Sequence, residues 1–330
     1  MRVLITGGTG FIGSRLTLKC RERGDNVLIL GREDATEAEI INKQNLQDHG
    51  VEIALGSVTD RDRMFELTKD IDLVIHLAAA QHEMNIPDAT FRAVNVEGTR
   101  NVLDASVAAG VGRFVHGSTI GVYDRDVTEV VDEETPLRPD NIYGKTKAAG
   151  EQLVRSYFDR LPCTIVRISE TYGPGDRRLL KLFSAIKKRV FFMIGNGENI
   201  HQLIYVDDLV DGILLVSAEE RALNETFVLA GRERLTSNQM VSAVARAVGE
   251  KERSWRAPLW IFMLAATLLE GSMRPLGLQP PLHRRRMDFF TKSFRISAVK
   301  AKKMLEFTAK TDFEEGVRRT NEWYRKNKLL

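Results

Sequence analysis

Tyr143 and Lys147 stand four residues apart at the head of a segment with helical spacing, so their side chains share one helix face. A phenol with an ordinary pKa of about 10 is a poor base at neutral pH. An adjacent ammonium stabilises the phenolate and lowers that value. Such a pair can take or give the proton of a hydroxyl while hydride passes to or from a nicotinamide ring. The plain alternative is an exposed Tyr and Lys on a surface helix, and spacing alone does not separate the two. The run Phe114-Val115-His116-Gly117-Ser118-Thr119 sharpens the choice. It reads as a strand whose carboxyl end carries hydroxyl residues, 24 positions before Tyr143. A hydroxyl there would hydrogen-bond the reacting oxygen and orient it.

A second group binds rather than reacts. Thr6-Gly7-Gly8-Thr9-Gly10-Phe11-Ile12-Gly13 directly follows the apolar run Val3-Leu4-Ile5. Gly7 permits a tight turn, Gly10 lets backbone N–H groups approach phosphate oxygens, and Gly13 lets the following helix pack closely on the strand. The helix N-terminus then faces the pyrophosphate charge. Thr9, Phe11 and Ile12 complete the same cofactor-binding turn. Glycine-rich turns also close ordinary loops, but the flanking strands fit a βαβ unit, which favours a dinucleotide site.

The elements that must hold these groups alternate along the chain. Short runs rich in Val, Ile and Leu lie at 2–6, 26–30, 52–56, 72–78, 113–118 and 163–169. They do not alternate with polar residues, as befits strands covered on both faces. Helical spacing occupies 11–23, 37–49, 61–69, 90–110 and 143–161 between them. This order predicts an α/β fold: a doubly wound parallel Rossmann sheet with right-handed connections. Residues 1–170 form the dinucleotide-binding domain, with contributions from about 201–231. Residues 171–330 form a smaller, interleaved C-terminal α/β substrate region. Helices are expected there at 179–189, 207–217, 236–248, 297–305 and 312–326, and short strands near 191–195, 201–206 and 226–231. Ligands should lie outside the carboxyl ends of the parallel strands.

Composition narrows the class further. The chain has 330 residues, 43% hydrophobic and 28% charged, which suits a globular protein and not a disordered one. Cys20 and Cys163 form no Cys-x-x-Cys pair, and the six histidines include no i, i+4 pair, so neither a disulfide framework nor a zinc site is supported. No signal peptide precedes the first strand, which makes cytoplasmic the expected location. Residues 251–330 carry 18 Lys and Arg against 8 Asp and Glu, so the basic charge is concentrated there. Within that part, Leu259–Leu269 holds no charge. It is too short to span a bilayer, which takes about 20 apolar residues. Its plain reading is a buried helix or an apolar pocket wall. The alternative is a membrane-surface contact through 259–286, helped by Arg284-Arg285-Arg286.

Taken together, these motifs resemble the extended short-chain dehydrogenase/reductase family, also called the NAD-dependent epimerase/dehydratase family. The likeness runs from Arg2 to about Tyr324. Besides the glycine turn it rests on His76-Leu77-Ala78-Ala79, Asn95-Val96-Glu97-Gly98-Thr99, Ser118-Thr119 with Val122-Tyr123, Tyr143-Gly144-Lys145-Thr146-Lys147, Tyr172-Gly173-Pro174-Gly175-Asp176 and Tyr205-Val206-Asp207-Asp208. The resemblance implies Tyr143 as acid/base, with Lys147 as its activator and a ligand of the nicotinamide ribose. In the family's register the catalytic hydroxyl falls on Thr119, with Ser118 as a fallback. Leu77, Ala78 and Ala79 would line the cofactor, and Asn95 would be structural. The resemblance also implies a homodimer through the helices near 98–110 and 143–161.

Several positions depart from the pattern. Gly31-Arg32 stands where NAD-binding members usually carry Asp for the ribose. Arg32 suits a 2′-phosphate and so favours NADP over NAD, although Glu33 or Asp34 remain as carboxylates for the ribose. Ser57, followed by Val58 in the adenine-side turn, replaces an Asp that often contacts adenine. Glu170 and His201 occupy positions where nucleotide-sugar enzymes of the family commonly have Asn and Arg facing the diphosphate. A carboxylate at Glu170 would repel a pyrophosphate. The C-terminal part is similar to the 3β-hydroxysteroid dehydrogenase-like branch, whereas Arg285 and its neighbours resemble a phosphate clamp of the sugar branch. His82, after the fourth strand, is a further substrate candidate, with a solvated loop as its plain reading.

These residues predict an NAD(P)-dependent dehydrogenase or reductase acting on a secondary alcohol or ketone, with Thr119, Tyr143 and Lys147 catalytic and no metal. A nucleotide-sugar epimerase or dehydratase, which returns the hydride, is the alternative. A non-catalytic dinucleotide-sensing protein is a second one. The expected partner is a small-molecule substrate and not nucleic acid.

Overall fold

Apolar runs without polar alternation are stable only where both faces are covered, and six such runs become strands of one sheet. The structure is a computed structural model that describes residues 1–81, 86–123, 129–251, 255–273 and 287–330. Its centre is a seven-stranded sheet of β1 (Arg2–Thr6), β2 (Asn26–Gly31), β3 (Glu52–Leu55), β4 (Leu73–His76), β5 (Arg113–Thr119), β6 (Cys163–Ile168) and β7 (Glu225–Leu229). The spatial order is β7-β6-β5-β4-β1-β2-β3, and every pairing is parallel. The chain moves outward from β1 to β3 and then crosses back to β4. A crevice therefore opens at the carboxyl ends of β1 and β4.

The helices cover both faces. One face packs Leu16 and Cys20 of the first helix (Phe11–Glu22) with Leu209 and Ile213 of Val206–Ala218 over Val3, Ile5 and Ile29. The other packs Met64, Val102, Leu103 and Val154 over Leu4, Val74 and Phe114. Cys20 and Cys163 lie buried on opposite faces, and burial pushes their thiols up to about 11 and about 12, so neither is reactive. A third core, built from Tyr172, Phe183, Met240, Val244, Phe313, Val317 and Tyr324, holds the C-terminal region together. That region is interleaved with the sheet, because β7 closes one edge and Val206–Ala218 covers one face.

Two elements differ from their sequence expectation. The helix expected over 90–110 is broken: Asp88–Arg92 and Thr99–Ala109 are α-helical, but Ala93–Gly98 is a π-helical turn. The wider turn admits Asn95, whose side chain bonds to backbone outside the helix. The apolar segment does form a helix, Leu259–Met273, but it is not a core helix or an enclosed wall: Ala266 is its one fully buried residue. No helix among the described residues is long and apolar enough to cross a membrane.

Candidate active site

The glycine turn is shaped by close backbone approach. Gly7 adopts φ +72°, and a Cβ there would lie 2.8 Å from the Ala78 nitrogen, so β1 exits directly against the residues leaving β4. A Cβ at Gly13 would fall 2.1 Å from the Gly7 oxygen. Gly10 differs: a Cβ would meet only the Gly7 oxygen, at 3.3 Å, so its outer side is open. Gly10 is also the N-cap of the first helix and supplies no side-chain capping bond. The open cradle and the uncapped helix end fit a dinucleotide pyrophosphate. Thr9 is buried, and its carbonyl accepts from the Asn42 side chain (2.9 Å). Half-buried Phe11 lies against Gly175, where a Cβ would be 3.1 Å from its ring. Ile12 packs against the core of the same face.

A hydrogen-bonded spine connects this turn to the tyrosine helix, Ile142–Arg155. Thr6 Oγ1 accepts from the Ala78 N–H (3.3 Å) and pairs with His76 Nδ1 (2.7 Å). His76 Nε2 meets Thr99 Oγ1 (3.0 Å), which donates to the Asn95 carbonyl (2.9 Å). The chain of donors assigns the imidazole proton to Nε2. The Asn95 side chain then accepts from Ala80 N–H (2.8 Å) and donates to Ala80 carbonyl and Thr146 Oγ1 (both 3.0 Å). Leu77, Ala78 and Ala79 are thus held, half-buried, between the glycine turn and the tyrosine helix. A Cβ at Gly150 would lie 3.1 Å from the Asn95 carbonyl, so the helix and the π turn meet at backbone distance.

At the end of β5, Thr119 accepts from the Gly121 N–H (3.1 Å). A Cβ at Gly121 would lie 3.4 Å from Thr119 Oγ1 and 4.0 Å from Cδ1 of the Tyr143 ring, so both side chains border the same glycine. Asn141 caps the helix by accepting from Gly144 N–H (3.0 Å). Gly144 seats the helix on the strand exit, since a Cβ there would be 2.2 Å from the Gly121 oxygen. Tyr143 is half-buried and Lys147, one turn on, is 2% exposed. Lys147 Nζ donates to His116 Nε2 (3.3 Å). Burial lowers the Lys147 pKa to about 8, opposed by the charge of Glu151, so the side chain is still mainly an ammonium at neutral pH. Burial, with the Lys147 charge second, pushes His76 down to about 3 and His116 well below its ordinary value; both imidazoles are neutral. His116 Nδ1 is left with no partner among the described residues.

Ser118 faces the other way. Its hydroxyl donates to Glu151 (2.5 Å), which also receives the Arg167 guanidinium (Nη2–Oε2 2.9 Å) in a fully buried pair. Arg167 also donates to Tyr123 Oη (2.8 Å), and Tyr123 donates to the Asp132 carbonyl (2.6 Å). Burial raises the Tyr123 phenol to about 12. This cluster fastens the tyrosine helix to β6 and to the loop before it. Ser118 is thereby spent on structure, and Thr119 is left as the hydroxyl beside Tyr143.

The departures look different in three dimensions. Arg32 donates to Glu39 (3.1 Å), the carboxylate of the capping box on Glu37–Asp48, and lies 3.9 Å from Asp34. Burial raises the Glu39 carboxyl, but its bonds to Thr36 and Arg32 outweigh that and hold it below its ordinary value. Ser57 is exposed and bonded to Thr59 Oγ1 (2.8 Å), while Val58 is buried. Glu170 and His201 bond to each other (3.0 Å). Burial pushes the Glu170 carboxyl up, but His201, Arg178 and Lys292 outweigh it and hold it below its ordinary value. Burial pushes His201 down, and Glu170 outweighs that and raises it. The carboxylate expected to repel a diphosphate is therefore bonded to an imidazole of raised pKa, with Arg178 and Lys292 as cations nearby. His82 and Arg285 lie outside the described residues. Sequence reading overlooks His76 and His116 as parts of the site. The available signal is an imidazole at the same register in two adjoining buried strands, His76 opposite His116.

Comparison with known proteins places this geometry. The model of the NAD dependent epimerase/dehydratase family matches residues 3–230. The chain is 28% identical to the dTDP-glucose 4,6-dehydratase of Streptomyces antibioticus, covering 99% of this chain and 93% of that protein. It is 27% identical to the N-acetyl-alpha-D-glucosaminyl-diphospho-ditrans,octacis-undecaprenol 4-epimerase of Escherichia coli O157:H7, covering 94% and 87%. Among solved structures, the UDP-glucose 4-epimerase of Thermotoga maritima with UDP-glucose superposes with a TM-score of 0.79 at 25% identity, covering 99% of each chain.

Proposed function

Because the chain belongs to the NAD-dependent epimerase/dehydratase family, we propose that it is an enzyme that inverts a secondary alcohol of a sugar carried on a diphosphate, by oxidation and re-reduction. The observation that carries this reading is that Thr119 and Tyr143 border the same glycine, Gly121, with the Lys147 ammonium buried one helical turn away. NAD, when bound, supplies an acceptor that takes the hydride and returns it. Gly7, Gly10 and the first turn of the first helix would hold its pyrophosphate, Leu77–Ala79 would floor the site, and Lys147 would reach the ribose. Tyr143 takes the hydroxyl proton as the ketone forms and gives it back afterwards. Thr119 donates a hydrogen bond to the reacting oxygen and fixes its direction. Lys147 favours the phenolate by its charge.

Two considerations move the preference from net oxidoreduction of an apolar alcohol to a diphospho-sugar. Most of the relatives named for an activity act on nucleotide- or lipid-diphosphate sugars, against one 3beta-hydroxysteroid-dehydrogenase/decarboxylase. The Glu170–His201 pairing, with Arg178 and Lys292 nearby, also weakens the charge objection. Epimerisation is favoured over dehydration because loss of water would need a further acid and base at the sugar. The positions after Thr119 are Ile120, Gly121 and Val122, which supply neither. NAD is favoured over NADP because the Arg32 charge that a 2′-phosphate would need is already paired with Glu39. The helices around Thr99–Ala109 and Ile142–Arg155 lie side by side, joined by Tyr157 donating to Asp104 (2.6 Å), and are the proposed homodimer face.

The test is incubation of the protein and NAD with UDP- and dTDP-hexoses, following the stereochemistry of the product by NMR. The expected result is a C-epimer with no steady accumulation of reduced cofactor. Continuous NADH or NADPH turnover without epimer would replace this reading with net oxidoreduction. Full activity in Tyr143→Phe would remove the mechanism.

A further inference from the structure

The Leu259–Met273 helix inverts the usual burial rule. Of its 15 residues only Ala266 is buried, while Trp260 (68% exposed), Ile261, Leu264 and Leu268 (63%) face outward. Single exposed apolar residues are ordinary, but a contiguous face of them marks an interaction surface. This face continues onto a neighbouring segment. Met193–Ile194 pairs in parallel with Arg256–Ala257, and the Met193 N–H donates to the Trp255 carbonyl (3.0 Å). The Phe192 and Phe262 rings stand 5.7 Å apart. Exposed Val190, Phe192 and Trp255 therefore extend the apolar surface.

Cations rim it. Lys187, Lys188 and Arg189 immediately precede Val190, and Arg256 and Lys251 flank Trp255, all exposed. Among the described residues, the acidic groups along these segments are Glu250, which accepts from Arg189 (2.7 Å), and half-buried Glu270. The rim is therefore net positive. An outward tryptophan on an apolar helix, a second just before the adjoining strand and a basic margin are the composition of a helix lying in a headgroup layer. At about 1.5 Å per residue the helix is about 22 Å long, which suits lying flat and not crossing. A second copy of the chain is a poorer occupant. A twofold contact through this patch would bring two net-positive rims together.

We propose that this surface seats the protein on an anionic lipid bilayer, with the Leu259–Met273 helix in the plane of the headgroups. The inference stands apart from the reaction, since the surface contains none of the residues assigned to chemistry. Its test is co-flotation of the purified protein with vesicles of phosphatidylcholine, alone or mixed with phosphatidylglycerol. The wild type should float with the mixed vesicles, less with the neutral ones, and less as salt rises. The triple variant Trp260→Ser/Leu264→Ser/Leu268→Ser alters only exposed side chains and should fold with an unchanged melting curve. Its partition should fall at least about tenfold, given the apolar area removed. Lys187→Glu/Lys188→Glu should weaken partition by about fivefold or more for each cation lost and flatten the salt dependence. Failure of the wild type to float with mixed vesicles at low salt would overturn the proposal, as would a triple variant that floats equally well. A wild-type oligomer that the triple variant splits, measured by light scattering without lipid capture, would assign the surface to a second copy instead.

Discussion

Two helices in this molecule break the burial rule in opposite senses. Ile142–Arg155 takes Thr146, Lys147 and Glu151 into the interior, where each finds a partner: Asn95, His116 and Arg167. Leu259–Met273 leaves Trp260, Leu264 and Leu268 in solvent and buries only Ala266. The first departure is resolved inside the chain, because every buried charge there is bonded. The second is not resolved among the described residues, which points to a surface it meets elsewhere. A helix with internal polar partners is part of a mechanism, and one with an unsatisfied apolar face is part of an encounter.

The largest expected effect separates the two directly. Tyr143→Phe should lower kcat by about 10²–10⁴-fold, measured as epimer formed, while vesicle binding stays as in the wild type. Loss of both together would mean the two regions are not independent. Next in size is the buried pair. Arg167→Met leaves the Glu151 carboxylate buried without its counter-charge and should cost about 3–5 kcal/mol in urea unfolding. A cost below about 1 kcal/mol would show that water reaches the pair.

Lys147→Met sharpens the comparison because it should split activity from stability. Turnover should collapse while the protein becomes more stable at pH 7 by up to about 3 kcal/mol, since the folded chain no longer buries an ammonium. The sign follows from Lys147, whose pKa falls from 10.5 when free to about 8 when folded. Between those values the unfolded chain binds the extra proton, so the wild type gains stability as pH rises from about 8 to 10.5, and the advantage of the variant should narrow there. Thermal melts of both proteins across that range measure it.

The smallest effect belongs to Glu170–His201. The raised His201 pKa contributes stability that is complete below 6.5 and is lost as pH climbs through the folded value. The lowered Glu170 pKa contributes stability that is complete above 4.5 and is lost as pH falls through its folded value. The melting-temperature gap between wild type and His201→Gln should therefore be widest between pH 4.5 and 6.5 and shrink on the alkaline side.

The same contrast explains which features are legible in the amino-acid sequence. The sheet is legible because strands such as Leu73–His76 and Cys163–Ile168 are apolar on both faces, a local property of the chain. The glycine turn and the Tyr143/Lys147 spacing are legible because each motif lies within one short stretch. Only family likeness points to Asn95, and nothing local announces its π turn. The wider turn depends on Ala80, 15 residues away, offering both its N–H and its carbonyl. Glu170 and His201 read as separate groups facing a ligand, because a pairing across 31 residues has no sequence signature. The outward face of Leu259–Met273 is hidden for a related reason: an apolar run states that a cover is wanted, not whether the chain supplies one.

Gly144 carries one more consequence. Because a Cβ at Gly144 would fall 2.2 Å from the Gly121 oxygen, the start of the helix that carries Tyr143 is seated on the turn after Thr119 by main chain against main chain. Such a contact acts as a ruler with no adjustable part. Resizing residues in the surrounding cores should leave it unchanged, whereas a single added methyl at position 144 should move Tyr143 and Thr119 apart and disable the pair without unfolding anything else.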